Sequence, residues 1–183
     1  MDCAKSSTEA LLFFGVLAQL YTAFSSSTSR WTIMKKHEKI SVKFPSATRW
    51  ESRIKCIVPL QFYLSDVLDA LEELQSYCIQ KQDGKTANDV RSLINAISSW
   101  KFILAIVIWH DILFQVNKTS KLMQTFDISL DVIKSEIHAT RSFLQNYRQN
   151  GYNTAVVNAR EIAEDAGVEC VCGKEKKKQK KNV

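Results

Sequence analysis

The residues whose types and spacing could do chemistry are few. Arg49-Trp50 sets a guanidinium beside a large aromatic ring, a pairing that can hold a phosphate and stack on an exposed base. The plainer reading is a packed tryptophan with a surface arginine, since tryptophan usually serves packing. Trp109-His110-Asp111 places an imidazole beside a carboxyl within an apolar stretch, which suggests acid–base chemistry. Adjacent residues on a helix point about 100° apart, so the two are not expected to pair, and each reads as a polar residue at the edge of a core. Cys170-Val-Cys172 offers two thiols, but a tetrahedral zinc site takes four ligands and no second Cys/His pair follows. No metal and no cofactor is therefore expected. His37 and His138 belong to no motif. Lys174, Lys176, Lys177, Lys178, Lys180 and Lys181 form a basic tail, suited to nonspecific phosphate contact or nuclear import, and equally to a solvated run.

Those residues must be positioned by helices. The chain has 183 residues, 45% of them apolar, with only five Gly and two Pro, enough to bury a core and too few turn formers for a β-sandwich. The formal charge is +6; six lysines against Glu175 in the tail account for +5 of it, leaving about +1 for the body. Any broad grip on phosphates therefore belongs to the tail. Five scattered cysteines, with no basic-then-apolar leader after Met1, point to free thiols in a reducing compartment, the nucleus or otherwise the cytoplasm.

The most hydrophobic stretch runs from Thr86 to Gln124 around Trp100–Trp109. Leu93, Ile97, Trp100, Leu104, Val107 and Phe114 follow helical spacing, with Ile103, Ile106 and Ile108 on the other sides, so one helix covered nearly all round is expected as the central post of a bundle. The uninterrupted apolar run from Phe102 to Trp109 is too short for a membrane span of about 20 residues, and no membrane is expected.

Around this post the pattern predicts further helices. Ser6-Ser-Thr-Glu9 has capping-box spacing ahead of a face made by Ala10, Phe13, Phe14, Leu17, Leu20, Tyr21 and Phe24. A Ser-rich break leads to a short helix from about Arg30 to His37, with Trp31 and Met34 as buried contacts. Val42-Lys-Phe44 reads as a short extended piece before Pro45. From Thr48 to Gln82, Ile54, Ile57, Leu60, Leu64, Leu68, Leu71, Leu74 and Cys78 line one face, with a kink or fresh start at Pro59. Gln82-Asp-Gly-Lys85 is the turn, and Thr86-Ala-Asn-Asp89 caps the central helix. After a break at Thr125–Asp127, Phe126, Leu130, Ile133, Ile137, Leu144 and Tyr147 are expected on a buried side that ends at Asn150-Gly151. A last helix from about Tyr152 to Ala166 carries Val156, Ala159, Ile162 and Ala163, with Gly167 as its C-terminal cap.

Phe24-Ser-Ser-Ser-Thr-Ser-Arg-Trp31, Ile33-Met-Lys-Lys-His37 and Ser46-Ala-Thr-Arg-Trp-Glu-Ser-Arg53, continued by Trp109-His-Asp-Ile-Leu113, Asn117-Lys-Thr-Ser-Lys121 and Ala159–Gly167, resemble a segment of hAT-superfamily transposases and their domesticated relatives, particularly the zinc finger MYM-type protein 1-like group. The resemblance covers most of the chain. It implies a mainly α fold: residues 1–45 a remnant of the RNase H-like α/β core, residues 46–167 the α-helical insertion domain as a helical bundle, and residues 168–183 a basic tail or linker. The family's metal-binding carboxylates lie upstream of this segment and beyond the insertion, so none falls on this chain and no nuclease activity is implied.

The family's Arg-Trp motif falls on Arg49 and Trp50, where it implies contact with a distorted or flipped base near a transposon end; Ala47 stands where an Asp belongs in the family string. The functional expectation is a non-catalytic fragment or domesticated remnant of an hAT-type transposase, associated with DNA through Arg49, Trp50 and the tail lysines. The alternative is a helical protein-interaction module that packs against the missing part of a larger chain or another protein. That alternative fails if Phe13, Leu17 and Phe24 are covered within the chain and the protein is a stable monomer.

Overall fold

The computed structural model describes residues 7–37, 42–45 and 50–169. Eight α-helices follow in order among them: α1 (Thr8–Ser25), α2 (Thr28–Lys36), α3 (Trp50–Phe62), α4 (Leu64–Gln80), α5 (Gly84–Ile97), α6 (Trp100–Met123), α7 (Leu130–Asn146) and α8 (Tyr152–Asp165), with a π-helical turn at Tyr147–Gly151. No strand occurs among the described residues, and the segment from Val42 to Pro45 is irregular, with Val42 buried. The mainly α expectation holds.

Local chemistry sets the boundaries. Ser7, not Ser6, caps α1, its hydroxyl accepting from the Ala10 N–H at 3.1 Å, and Ser27 caps α2 two residues earlier than the pattern suggested. Asp83, rather than Thr86 or Asn88, caps α5 by accepting from the Thr86 N–H at 3.1 Å. Each cap satisfies a helix N-terminal N–H that has no partner within the helix.

The long stretch from Thr86 to Gln124 is not one helix. It breaks at Ser98-Ser99, where the Ser99 hydroxyl donates to the Ala96 carbonyl at 2.7 Å and accepts from the Phe102 N–H at 3.3 Å. One side chain thus closes α5 and opens α6, a competition with the backbone that an apolar pattern continuing across it conceals. The restart near Pro59 is also displaced. Pro59 stays inside α3, buried, and the chain leaves the helix only at Tyr63, whose φ is −141°. The ring removes one bond and crowds the carbonyl upstream of it; it does not stop the turn that follows.

A single core runs from Phe13 of α1 to Ala163 of α8. The face predicted for α3 and α4 is buried in full: Ile54, Ile57, Leu60, Leu64, Leu68, Leu71, Leu74 and Cys78. α6 lies at the centre, packed along α3 on one side and along α7 and α8 on another, with Ile103, Ile106, Val107 and Leu113 fully enclosed. It is not covered all round, because Phe114 is 58% exposed. α1 and α6 are long and apolar enough to cross a membrane by length and composition; each also contributes fully buried side chains to this core.

The face of α1 finds its partner inside the chain. Phe13, Leu17 and Phe24 are all buried, and the Phe13 ring lies 5.0 Å from that of Phe102. The covering half of the test set against the interaction-module reading is thus met at these three residues, while Leu11 and Leu12 on the other side of α1 are exposed.

α7 and α8 are joined without a break. Asn150-Gly151, expected to end a helix, sits in the π turn with right-handed backbone, Gly151 having φ −67° and ψ −26°. A Cβ at Gly151 would lie 2.7 Å from the Tyr147 ring, so the glycine is needed for close approach rather than for a stop. The wider turn shifts the helix phase. In a regular α-helix Phe143 and Ala163 would lie about 200° apart around the axis; here Phe143 is half-buried and Ala155, Ala159 and Ala163 are buried. α8 ends as expected at Gly167, whose φ is +64°. The Val168 N–H donates to the Ala163 carbonyl at 2.8 Å and the Gly167 N–H to Glu164 at 3.0 Å, the Schellman closure.

Candidate functional site

Trp50 opens α3 and is half-buried. One turn on, Arg53 is buried, its guanidinium carbon 5.4 Å from the Trp50 ring centroid and 5.2 Å from that of Phe14. Trp50 therefore serves as one aromatic wall of an internal cation site. Its outer edge borders an open hollow with Val116, Thr119, Ser120, Met123 and Gln124. The nearby cations are engaged: Glu51 lies 2.7 Å from Lys55 and 3.5 Å from Lys121. The hydrogen bond from Lys55, then the charge of Lys121, holds the Glu51 carboxyl below its ordinary range. Arg49, Lys174, Lys176, Lys177, Lys178, Lys180 and Lys181 lie outside the described residues, as do Cys170 and Cys172.

His110 and Asp111 come closer than adjacent helix positions suggested, with His110 Nδ1 3.7 Å from Asp111 Oδ1. That is a charge-pair distance, too long for a hydrogen bond. The imidazole is packed edge-on to Phe62 at 5.5 Å and stacked on Phe114 at 6.1 Å, while Asp111 accepts from the Tyr147 hydroxyl at 2.9 Å. Burial, then the hydrogen bond to Asp111, raises the Tyr147 phenol above its ordinary range. The carboxylate is thus occupied as an anchor for the π turn. Among the described residues, no three His, Cys, Asp or Glu side chains gather as a metal site.

The buried thiols are structural in setting. The single S–H of Cys56 is shared between the carbonyls of Lys43 at 2.9 Å and Ser52 at 3.0 Å, fastening the Val42–Pro45 segment to α3. Burial pushes its pKa up to about 12, so it stays protonated and unreactive at neutral pH. Cys78 is likewise free and buried, its thiol raised by burial.

The largest departure from the sequence reading is α7. None of its 17 residues is buried. Its hydrogen bonds to α6 form a polar cluster: Gln115 Nε2 donates to Thr140 Oγ1 at 2.9 Å, and the Thr119 and Thr140 hydroxyls meet at 2.6 Å. Glu136 joins them, 3.3 Å from Lys118 and accepting from Thr119 at 3.3 Å. Three of its aliphatic side chains lie away from that cluster, leaving Leu130, Ile137 and Leu144 exposed by 64%, 47% and 37%, while Ile133 is half-buried. Phe126, expected in the core, is 95% exposed. The signal that could have exposed this reversal was the seven-residue repeat of Leu130, Ile137 and Leu144, beside a second one of Lys134, Arg141 and Arg148.

Comparisons of the chain with protein-family models, with curated proteins and with solved structures find no match.

Proposed function

We propose that this chain is a non-catalytic helical interaction module, derived from an hAT-type transposase, that packs against another polypeptide through the outer face of α7. The observation that carries this is a 17-residue helix with no buried residue and an outward row of Leu130, Ile137 and Leu144. Fully covering an aliphatic side chain is worth about 1.5–3 kcal/mol, and part of that gain is unclaimed within the chain, most of all at Leu130, which is 64% exposed. The hAT resemblance supplies a setting, since a helical insertion domain stands beside an RNase H-like core.

The test replaces Leu130, Ile137 and Leu144 together by Gln, which keeps helix propensity. The folded chain should lose less than about 1 kcal/mol of stability, and its binding of a hydrophobic-surface dye should fall. Loss of several kcal/mol, or unchanged dye binding, ends this reading.

DNA association in the nucleus is the second reading, favoured by the exposed edge of Trp50 beside the hollow lined by Ser120 and Gln124. Binding to duplex and hairpin DNA across a salt titration, with and without Trp50→Ala, addresses it. Equal affinity for both forms, unaltered by the substitution, would reject the tryptophan contact.

A further inference from the structure

The exposed aliphatic row on α7 is edged by cations at a constant offset. Lys134 and Arg141 stand four residues after Leu130 and Ile137, and Arg148, in the π turn just past α7, four after Leu144; all three are exposed with no ion pair among the described residues. Around Ile137, the neighbours on the i−4 and i+3 side are Ile133 and Thr140, both half-buried, with Thr140 bonded to Gln115 of α6. Those on the i−3 and i+4 side are Lys134 and Arg141, which border open solvent. Of the two acids on the helix, Glu136 is turned to Lys118, while Asp131, one turn before Lys134, lies in the first turn, where it complements the helix dipole.

We infer that α7 receives an acidic amphipathic helix, whose apolar seam covers Leu130, Ile137 and Leu144 while its carboxylates meet Lys134, Arg141 and Arg148. This rests on the docking role proposed above and adds the chemistry of the partner. A seam repeating every seven residues and one side chain wide matches a helix. A membrane surface calls for a broad apolar face that can sink into the headgroup boundary, and a nucleic acid has no use for the aliphatic row. A second copy of the chain fits poorly, because antiparallel α7 helices would set cation rows against each other, while in a parallel pair the complementary flank is occupied by α6.

The experiment titrates the full chain with two synthetic three-heptad helical peptides of identical Leu seam, one flanked by Glu and the other by Lys. The Glu peptide should bind about tenfold or more tightly at low salt, and the advantage should shrink as salt rises. Lys134→Glu with Arg141→Glu should reverse the preference, and Ile137→Asp should abolish binding of both peptides. Equal binding that ignores the charge reversal overturns the acidic partner while leaving the docking face standing. Binding of neither peptide overturns the inference, and the dye and stability measurements above then judge the docking role separately. Self-association removed by Ile137→Asp, or preferential binding of duplex DNA or anionic vesicles through Lys134 and Arg141, also overturns it.

Discussion

Tyr147 donates its hydroxyl proton to Asp111 at 2.9 Å, tying the π turn between α7 and α8 to the middle of α6. Removing the hydroxyl in Tyr147→Phe should cost about 1 kcal/mol, or about 2–4 °C in Tm for a chain of this size. A pH series adds a second check. The folded phenol titrates above its ordinary value of 10.0, so its stabilising effect is present in full below about pH 10 and is lost as pH rises toward the folded value. Chemical denaturation between neutral pH and about pH 11 should show wild type losing more stability over the alkaline range than Tyr147→Phe.

Gly151→Ala should destabilise, although Gly→Ala within a helix ordinarily stabilises by about 0.5–1 kcal/mol. The new Cβ would lie 2.7 Å from the Tyr147 ring, which must then move, at a cost of about 1–3 kcal/mol. The same change in a Tyr147→Ala background should be neutral or stabilising. A double-mutant cycle by urea denaturation checks the pair.

At the end of α4, Gln82 occupies the left-handed region with φ +58°. It stands where the Asp83 N–H closes on the Cys78 carbonyl at 2.9 Å, the position glycine prefers. Gln82→Gly should therefore stabilise by up to about 1 kcal/mol, and Gly167→Ala, at φ +64°, should destabilise by a similar amount. Thermal unfolding of both variants would reveal whether the signs are opposite.

Truncating Leu113, fully enclosed in α6, to Ala should cost about 2–5 kcal/mol. Ile137→Ala on α7 should cost less than about 1 kcal/mol, because its side chain is 47% exposed. Equal losses by denaturant titration would mean that α7 carries core that the fold described above does not assign to it.

The helices were legible where periodicity and burial coincide. Every apolar position read from Ile54 to Cys78 is in the core, because the pattern there meets partners within the same chain. On α7 and the turn after it, Ile133 and Tyr147 are half-buried, but the reading failed at Leu130, Ile137 and Leu144 for a physical reason: they define an apolar side whether or not anything covers it. The Ser98-Ser99 break was hidden because Ile97 and Trp100 keep the helical beat across it, and Asn150-Gly151 reads as a stop although Gly151 serves ring clearance. For the candidate site, the Arg-Trp string drew attention to Trp50, but the buried cation beside it is Arg53. Nothing in linear order announces that Phe14, far away in sequence, completes the pair of rings around it.

The π turn at Tyr147–Gly151 makes the long C-terminal helix sensitive to counting. A deletion of a single residue there would restore ordinary winding and rotate everything downstream by about 100°. Ala155, Ala159 and Ala163 could then nestle against α6 only if Thr140 and Tyr147 released it. The surplus residue acts as a phase adjuster between two halves of one rod, and a chain that lost it would have to choose which half to keep docked.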